Sequence, residues 1–160
     1  MDRDLYSLCE RVGQHLLARG WAVATAESCT GGWVAKALTD VPGSSGWFDR
    51  GLVSYTNRAK RELLGVAQET LERCGAVSEA TVREMVAGAL AYSGVDVAVA
   101  ISGIAGPSGG TPDKPVGTVW FAWGRHSGAT HAQRMLFAGD REAIRHQSVA
   151  TALQGILDIE

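Results

Sequence analysis

The run Asp96-Val97-Ala98-Val99-Ala100-Ile101 constrains this chain most, because five apolar residues follow one another with no polar alternation. A strand without a polar face is covered on both sides, which fits a central strand of an α/β sheet. The flanking patterns agree. Asp4 to about Arg19 places Leu5, Leu8, Val12, Leu16 and Leu17 on one stripe with Gly20 just beyond, an amphipathic helix with a glycine stop. Trp21–Thr25 reads as a strand, Trp33–Leu38 as a helix and Trp47–Tyr55 as a second strand. Short helices over 58–64 and 68–73, and a longer one opened by Ser78 and running to about Ala91, precede the central run. Gly117–His126 and Thr130–Phe137 form a hairpin across Ser127-Gly128-Ala129, so part of the sheet is antiparallel. Asp140 caps the last helix. The expected fold is α/β with a mixed sheet.

A chain of 160 residues, 46% apolar and 20% charged, buries a core as one domain, expected over residues 1–160. No run of about eighteen apolar residues predicts a membrane span. Met1-Asp2-Arg3-Asp4-Leu5-Tyr6 lacks a signal core, so a cytoplasmic location is expected. The formal net charge of −2, with scattered basic residues, argues against nucleic acid as the partner. Cys9, Cys29 and Cys74 form no C-x-x-C pair, and His15, His126, His131 and His146 no H-E-x-x-H pair, so no metal site is expected.

The polar stretch that follows the first strand is Thr25-Ala26-Glu27-Ser28-Cys29-Thr30-Gly31-Gly32. A strand, a glycine turn and a helix start meet there, and the first turn of a helix presents unpaired N–H groups that stabilise negative charge. Ser28 or Cys29 would be a nucleophile beside its own oxyanion hole, with donors among Cys29, Thr30, Gly31 and Gly32. The plainer reading of the same residues is that Ser28 or Thr30 caps the helix. The spacing fits neither a phosphate-binding G-x-x-x-x-G-K-[ST] loop nor a serine-x-x-lysine site.

Thr56 or Asn57 suits the cap of the short helix that carries Lys60 in its first turn, with Gly65 ending it. The macrodipole disfavours a cation at that place, and Arg58 and Arg61 push the same way. A lysine with a lowered pKa, able to act as a base, is therefore expected. A solvated basic helix start is the competing reading. A second glycine-rich loop, Ser102-Gly103-Ile104-Ala105-Gly106-Pro107-Ser108-Gly109-Gly110, follows the central strand. Ligands in open α/β sheets sit beyond the carboxyl ends of strands, so the two glycine-rich loops point to one crevice.

Several of these stretches together resemble the CinA C-terminal domain family: Ala26–Gly32, Pro42-Gly43-Ser44-Ser45, Val53-Ser54-Tyr55-Thr56-Asn57 with Lys60, Gly75-Ala76-Val77-Ser78, Ser102–Pro107 and Lys114–Val119, in that order. The resemblance spans nearly the whole chain and implies a three-layer α/β/α fold. It also implies hydrolysis of nicotinamide mononucleotide to nicotinic acid mononucleotide and ammonia, the reaction of the family's stand-alone bacterial members. Longer members carry an additional N-terminal domain whose activity is not expected here. By resemblance Ser28 is the nucleophile, ranked over Cys29, with Tyr55 and Lys60 as its catalytic partners and no metal or organic cofactor. Lys60 would take the Ser28 proton directly or through the Tyr55 hydroxyl. The substrate phosphate would meet the N–H groups of the Ser102–Gly110 loop, including Gly103 and Gly106, or Arg141, with Lys114 and Arg145 as further candidates. A dimer or larger homo-oligomer is also implied, with Trp33, Trp47 and Trp120 as interface or core residues. Two alternatives stand beside this reading: a non-catalytic nucleotide-binding or competence-related regulatory module, and an amidase of different substrate.

Overall fold

The structure, a computed structural model, describes residues 2–160. In chain order it comprises α1 (Arg3–Arg19), β1 (Val23–Glu27), α2 (Trp33–Thr39), a 3-10 turn (Ser44–Gly46), β2 (Phe48–Val53), α3 (Asn57–Leu64), α4 (Gln68–Cys74), α5 (Glu79–Ser93), β3 (Val97–Gly103), β4 (Thr118–Arg125), β5 (Thr130–Leu136) and α6 (Arg141–Leu157). The expected α/β class and mixed sheet are present. The strands lie in the order β2-β1-β3-β4-β5. β2, β1 and β3 are parallel, β4 runs antiparallel to β3, and β5 antiparallel to β4.

Three boundaries differ from the sequence reading in ways that matter to the site. The first strand begins at Val23 because the Trp21 N–H still bonds back to the Leu16 carbonyl at the end of α1. It continues to Glu27, and β3 runs to Gly103, because pairing in register carries past the apolar stretch. Ser102 is thus a strand residue with a fixed facing, where the sequence suggested a loop.

Three layers follow from how the strands face. Val97, Val99 and Ile101 of β3 pack with Val12, Val34, Ile144 and Leu153 from α1, α2 and α6 on one face. Ala98 and Ala100 pack with Leu64, Leu71, Val82 and Met85 from α3, α4 and α5 on the other. The chain leaves β1 toward β2 through α2, and reaches β3 through the opposite layer. Such a reversal between β1 and β3 opens a crevice at their carboxyl ends. Among the described residues, no helix is long and apolar enough to cross a membrane.

One close approach fixes where Lys60 sits. A Cβ at Gly88 on α5 would lie 1.8 Å from the Leu64 carbonyl oxygen, so only glycine lets the end of α3 rest against α5. Gly88→Ala is expected to lower stability by about 1–3 kcal/mol, overcoming the ~1 kcal/mol that alanine gains as a helix former. Urea unfolding checks this; a variant as stable as the parent would mean the two helices separate freely.

Candidate active site

Ser28 immediately follows β1, and its N–H donates to the Ile101 carbonyl at 3.0 Å, which ties the residue to β3. The residues beyond it are held by a side chain that precedes it. The Glu27 carboxylate is fully buried and accepts from Thr30 Oγ1 (2.7 Å), Val34 N (2.9 Å), Ala35 N (3.0 Å) and Thr25 Oγ1 (3.2 Å). Neither Ser28 nor Thr30 is the helix cap: the residue before α2 is Gly32, which makes no side-chain cap bond. The carboxylate performs that task from below, opposite the positive end of the helix.

This arrangement corrects the expected oxyanion hole. In the first turn of α2 the Val34 and Ala35 N–H groups are occupied by Glu27 and the Trp33 N–H by the Thr30 carbonyl, and the Gly31 N–H donates to the Ser28 carbonyl. Thr30, Gly31 and Gly32 lie outside the wall of the cavity, whereas Cys29 lies in it. Of the four residues expected to supply donors, Cys29 is the one that borders the cavity. Arg145 fixes the turn from α6, which shares a layer with α2, donating to the Cys29 and Thr30 carbonyls at 3.0 and 3.3 Å while lying over the Trp33 ring.

Lys60 projects from α3 to the same point. Its side chain is 1% exposed, and Nζ stands 2.9 Å from Ser28 Oγ, 3.1 Å from the Ser54 carbonyl and 3.3 Å from the Tyr55 carbonyl. Burial, which penalises the ammonium, lowers its pKa from the ordinary lysine value; the nearby Cys29 opposes this weakly. The direction matches the sequence reading but the cause differs, since desolvation replaces the helix macrodipole. The two carbonyls also set the amine's orientation. A neutral amine that donates its two N–H groups to them turns its lone pair to the Ser28 hydroxyl. Thr56, and not Asn57, caps α3 by accepting from Ala59 N.

Tyr55 enters the site in another way than expected. Its backbone carbonyl meets Lys60, but its ring is 57% exposed and its hydroxyl accepts from Arg141 at 2.9 Å. A relay from Ser28 through that hydroxyl is not formed; the contact of serine and lysine is direct. Cys29 is a poor rival nucleophile, because burial pushes its thiol up to about 11.

The cavity over Ser28 and Lys60 has a volume of about 280 Å³. Its wall includes Ser102, Gly103, Gly106, Ser108 and Arg141, as the two-loop reading expected, and also Asn57 and Val77, which that reading did not include. Ala105, Gly106, Ser108 and Gly109 border it, and their N–H groups have no acceptor among the described residues. Arg141 donates to the Gly106 carbonyl at 2.8 Å as well as to Tyr55, joining α6 to the loop. Lys114 lies outside the cavity wall, and its ammonium donates to the Cys74 carbonyl at 2.7 Å. Trp47 is a core residue, 3% exposed, whereas Trp33 and Trp120 are half-buried. A larger cavity of about 910 Å³, bordered by Trp123, Arg125, His131 and Gln154, lies away from Ser28 and contains no paired nucleophile and base.

Fold and site together define an α/β protein whose strand ends carry a serine in contact with a buried lysine. The family model for the CinA C-terminal domain matches residues 5–159, and the chain belongs to that family. Its relatives include the nicotinamide-nucleotide amidohydrolase PncC of Escherichia coli (strain K12), 58% identical over 96% of this chain and 93% of that protein. The protein of the same name from Pseudomonas putida is 52% identical over 96% of this chain and 95% of its own length. Among solved structures, the competence/damage inducible protein CihA from Agrobacterium tumefaciens superposes with a TM-score of 0.96 at 44% identity, covering 99% of this chain and 98% of that one.

Proposed function

We propose that this chain is a nicotinamide-nucleotide amidohydrolase that converts nicotinamide mononucleotide to nicotinic acid mononucleotide and ammonia through an acyl-enzyme on Ser28. The observation that carries the assignment of residues is the 2.9 Å contact between Lys60 Nζ and Ser28 Oγ, made by a lysine that burial keeps inclined to the neutral form. Full-length similarity to proteins named for this activity supports the substrate.

The steps balance with the chain's own groups. Lys60 takes the Ser28 proton as Oγ bonds to the carboxamide carbon, and the carbonyl becomes an oxyanion. The resulting ammonium returns that proton to the amide nitrogen, the C–N bond breaks and ammonia leaves. Lys60 then takes a proton from water, whose oxygen attacks the acyl carbon; the proton returns to Ser28 Oγ as the acid is released. Arg141 and the unpaired N–H groups from Ala105 to Gly109 take the phosphate, and Tyr55 orients Arg141 and closes the mouth. Remote binding of the phosphate holds the carboxamide over Ser28, so free nicotinamide should turn over poorly.

We further assign the protein as one domain acting in the cytoplasm, where the free thiols of Cys9, Cys29 and Cys74 remain reduced. The partner the site requires is a small nucleotide, with neither nucleic acid nor membrane. We also assign a homo-oligomer that covers one of the sheet's open edges, β2 or β5.

Ammonia release from nicotinamide mononucleotide, free nicotinamide and NAD, measured side by side, tests this reading. The mononucleotide should be favoured, and Ser28→Ala should lose about three or more orders of magnitude. In the parent, kcat/KM should rise with pH through a value below that of an ordinary lysine, as Lys60 gives up its proton. Retention of parental activity by Ser28→Ala would rule out the nucleophile.

A further inference from the structure

The tetrahedral intermediate needs donors for its oxyanion, yet of the four residues expected after β1 the Gly31 N–H is taken by the Ser28 carbonyl, and Thr30 and Gly32 lie outside the cavity wall. Parallel register supplies another. Glu27 pairs with Val53 of β2 and Ile101 of β3, so the next residues, Ser54, Ser28 and Ser102, form one row across three strands. Alternation puts all three on the face toward α3 and α5, and strands in a sheet are about 4.8 Å apart.

The three hydroxyls differ in what they meet. Ser28 Oγ contacts Lys60, and Ser54 Oγ is enclosed without a partner. Ser102 is 1% exposed, lies in the cavity wall, and its hydroxyl makes no hydrogen bond among the described residues. Lys60 is anchored on the Ser54 and Tyr55 carbonyls, which lie on the β2 side of Ser28. The amide nitrogen must face that side to receive its proton, which turns the carbonyl oxygen toward β3 and Ser102.

We propose that the Ser102 hydroxyl is a catalytic oxyanion donor, acting with the Cys29 N–H on the carbonyl oxygen of the scissile carboxamide. The proposal rests on the Ser28–Lys60 reading. The hydroxyl moves no proton: it donates a hydrogen bond to an oxygen whose charge develops only as the Ser28 bond forms.

The test compares kcat and KM for nicotinamide mononucleotide in the parent, Ser102→Ala and Ser102→Thr, with Ser28→Ala alongside. Ser102→Ala should lose about 100- to 1000-fold in kcat with KM within about threefold, the signature of a contact made in the transition state. Ser102→Thr keeps a donor on a residue suited to strands, and should retain kcat within about tenfold. The proposal is overturned if Ser102→Ala keeps kcat, if its loss falls in KM alone, or if threonine fails to restore turnover. An inactive parent, or an active Ser28→Ala, would instead sink the reading on which it rests.

Discussion

Lys60→Met is expected to remove amide hydrolysis by about three or more orders of magnitude while raising the unfolding temperature. The two effects share a cause. A lysine 1% exposed must either carry a charge in the interior or give up a proton it would keep in water. Its folded-state pKa lies below that of the unfolded chain, so between the two values the unfolded state binds more protons. Stability of the parent should accordingly rise with pH through that window, and be lowest where both states are charged. Methionine fills similar volume without the charge, so the variant should lose this slope and gain stability across the acidic side. Thermal unfolding at several pH values, read beside ammonia release, checks both halves. A variant that is inactive but no more stable, with an unchanged pH slope, would show that Lys60 imposes no strain on the fold.

Glu27→Ala should have the largest cost in stability, on the order of 4 kcal/mol. It removes an acceptor shared by two helix N–H groups and two threonine hydroxyls in the interior, and each buried donor left unpaired costs about 1–3 kcal/mol. Glu27→Gln should fall between, because one amide oxygen replaces two carboxylate oxygens and its NH2 faces donors. Chemical denaturation measures the loss. Activity at temperatures where the variant remains folded should also drop, since the turn carrying Ser28 and Cys29 loses its support. An Ala variant that unfolds at the parent's midpoint would mean water replaces the carboxylate without cost.

The sheet was legible wherever its pattern was local. The unbroken apolar run of β3, the hairpin of β4 and β5 and the stripe on α1 each carry their own period. Ser28 and Lys60 could be singled out because each sits at a junction of element types, where polar residues are rarely packing residues. Glu27 carried no such mark: one carboxylate at the end of an apolar strand reads as a surface residue until α2 folds back over it. The same distance hid the cause of the lowering of the lysine's pKa, which is burial of α3 against α5 and the residues that follow β2 and not its place in a first turn. Tyr55 was assigned a hydroxyl role, yet its carbonyl meets Lys60, because a residue just past a strand end can offer either and sequence does not say which. Ser102 became legible in its facing only through register, a relation among three strands.

Arg145 grips carbonyls that lie 116 and 115 positions earlier in the chain, and Arg141 reaches back 86 to Tyr55. A ribosome makes the Ser28 turn well before the helix that pins it. The Ser28–Lys60 pair is therefore without its clamp until α6 has been made and docks. A nascent chain released before residue 145 holds Ser28 and Lys60 but lacks the clamp on their turn, so premature termination yields an inert fragment and not a leaky hydrolase.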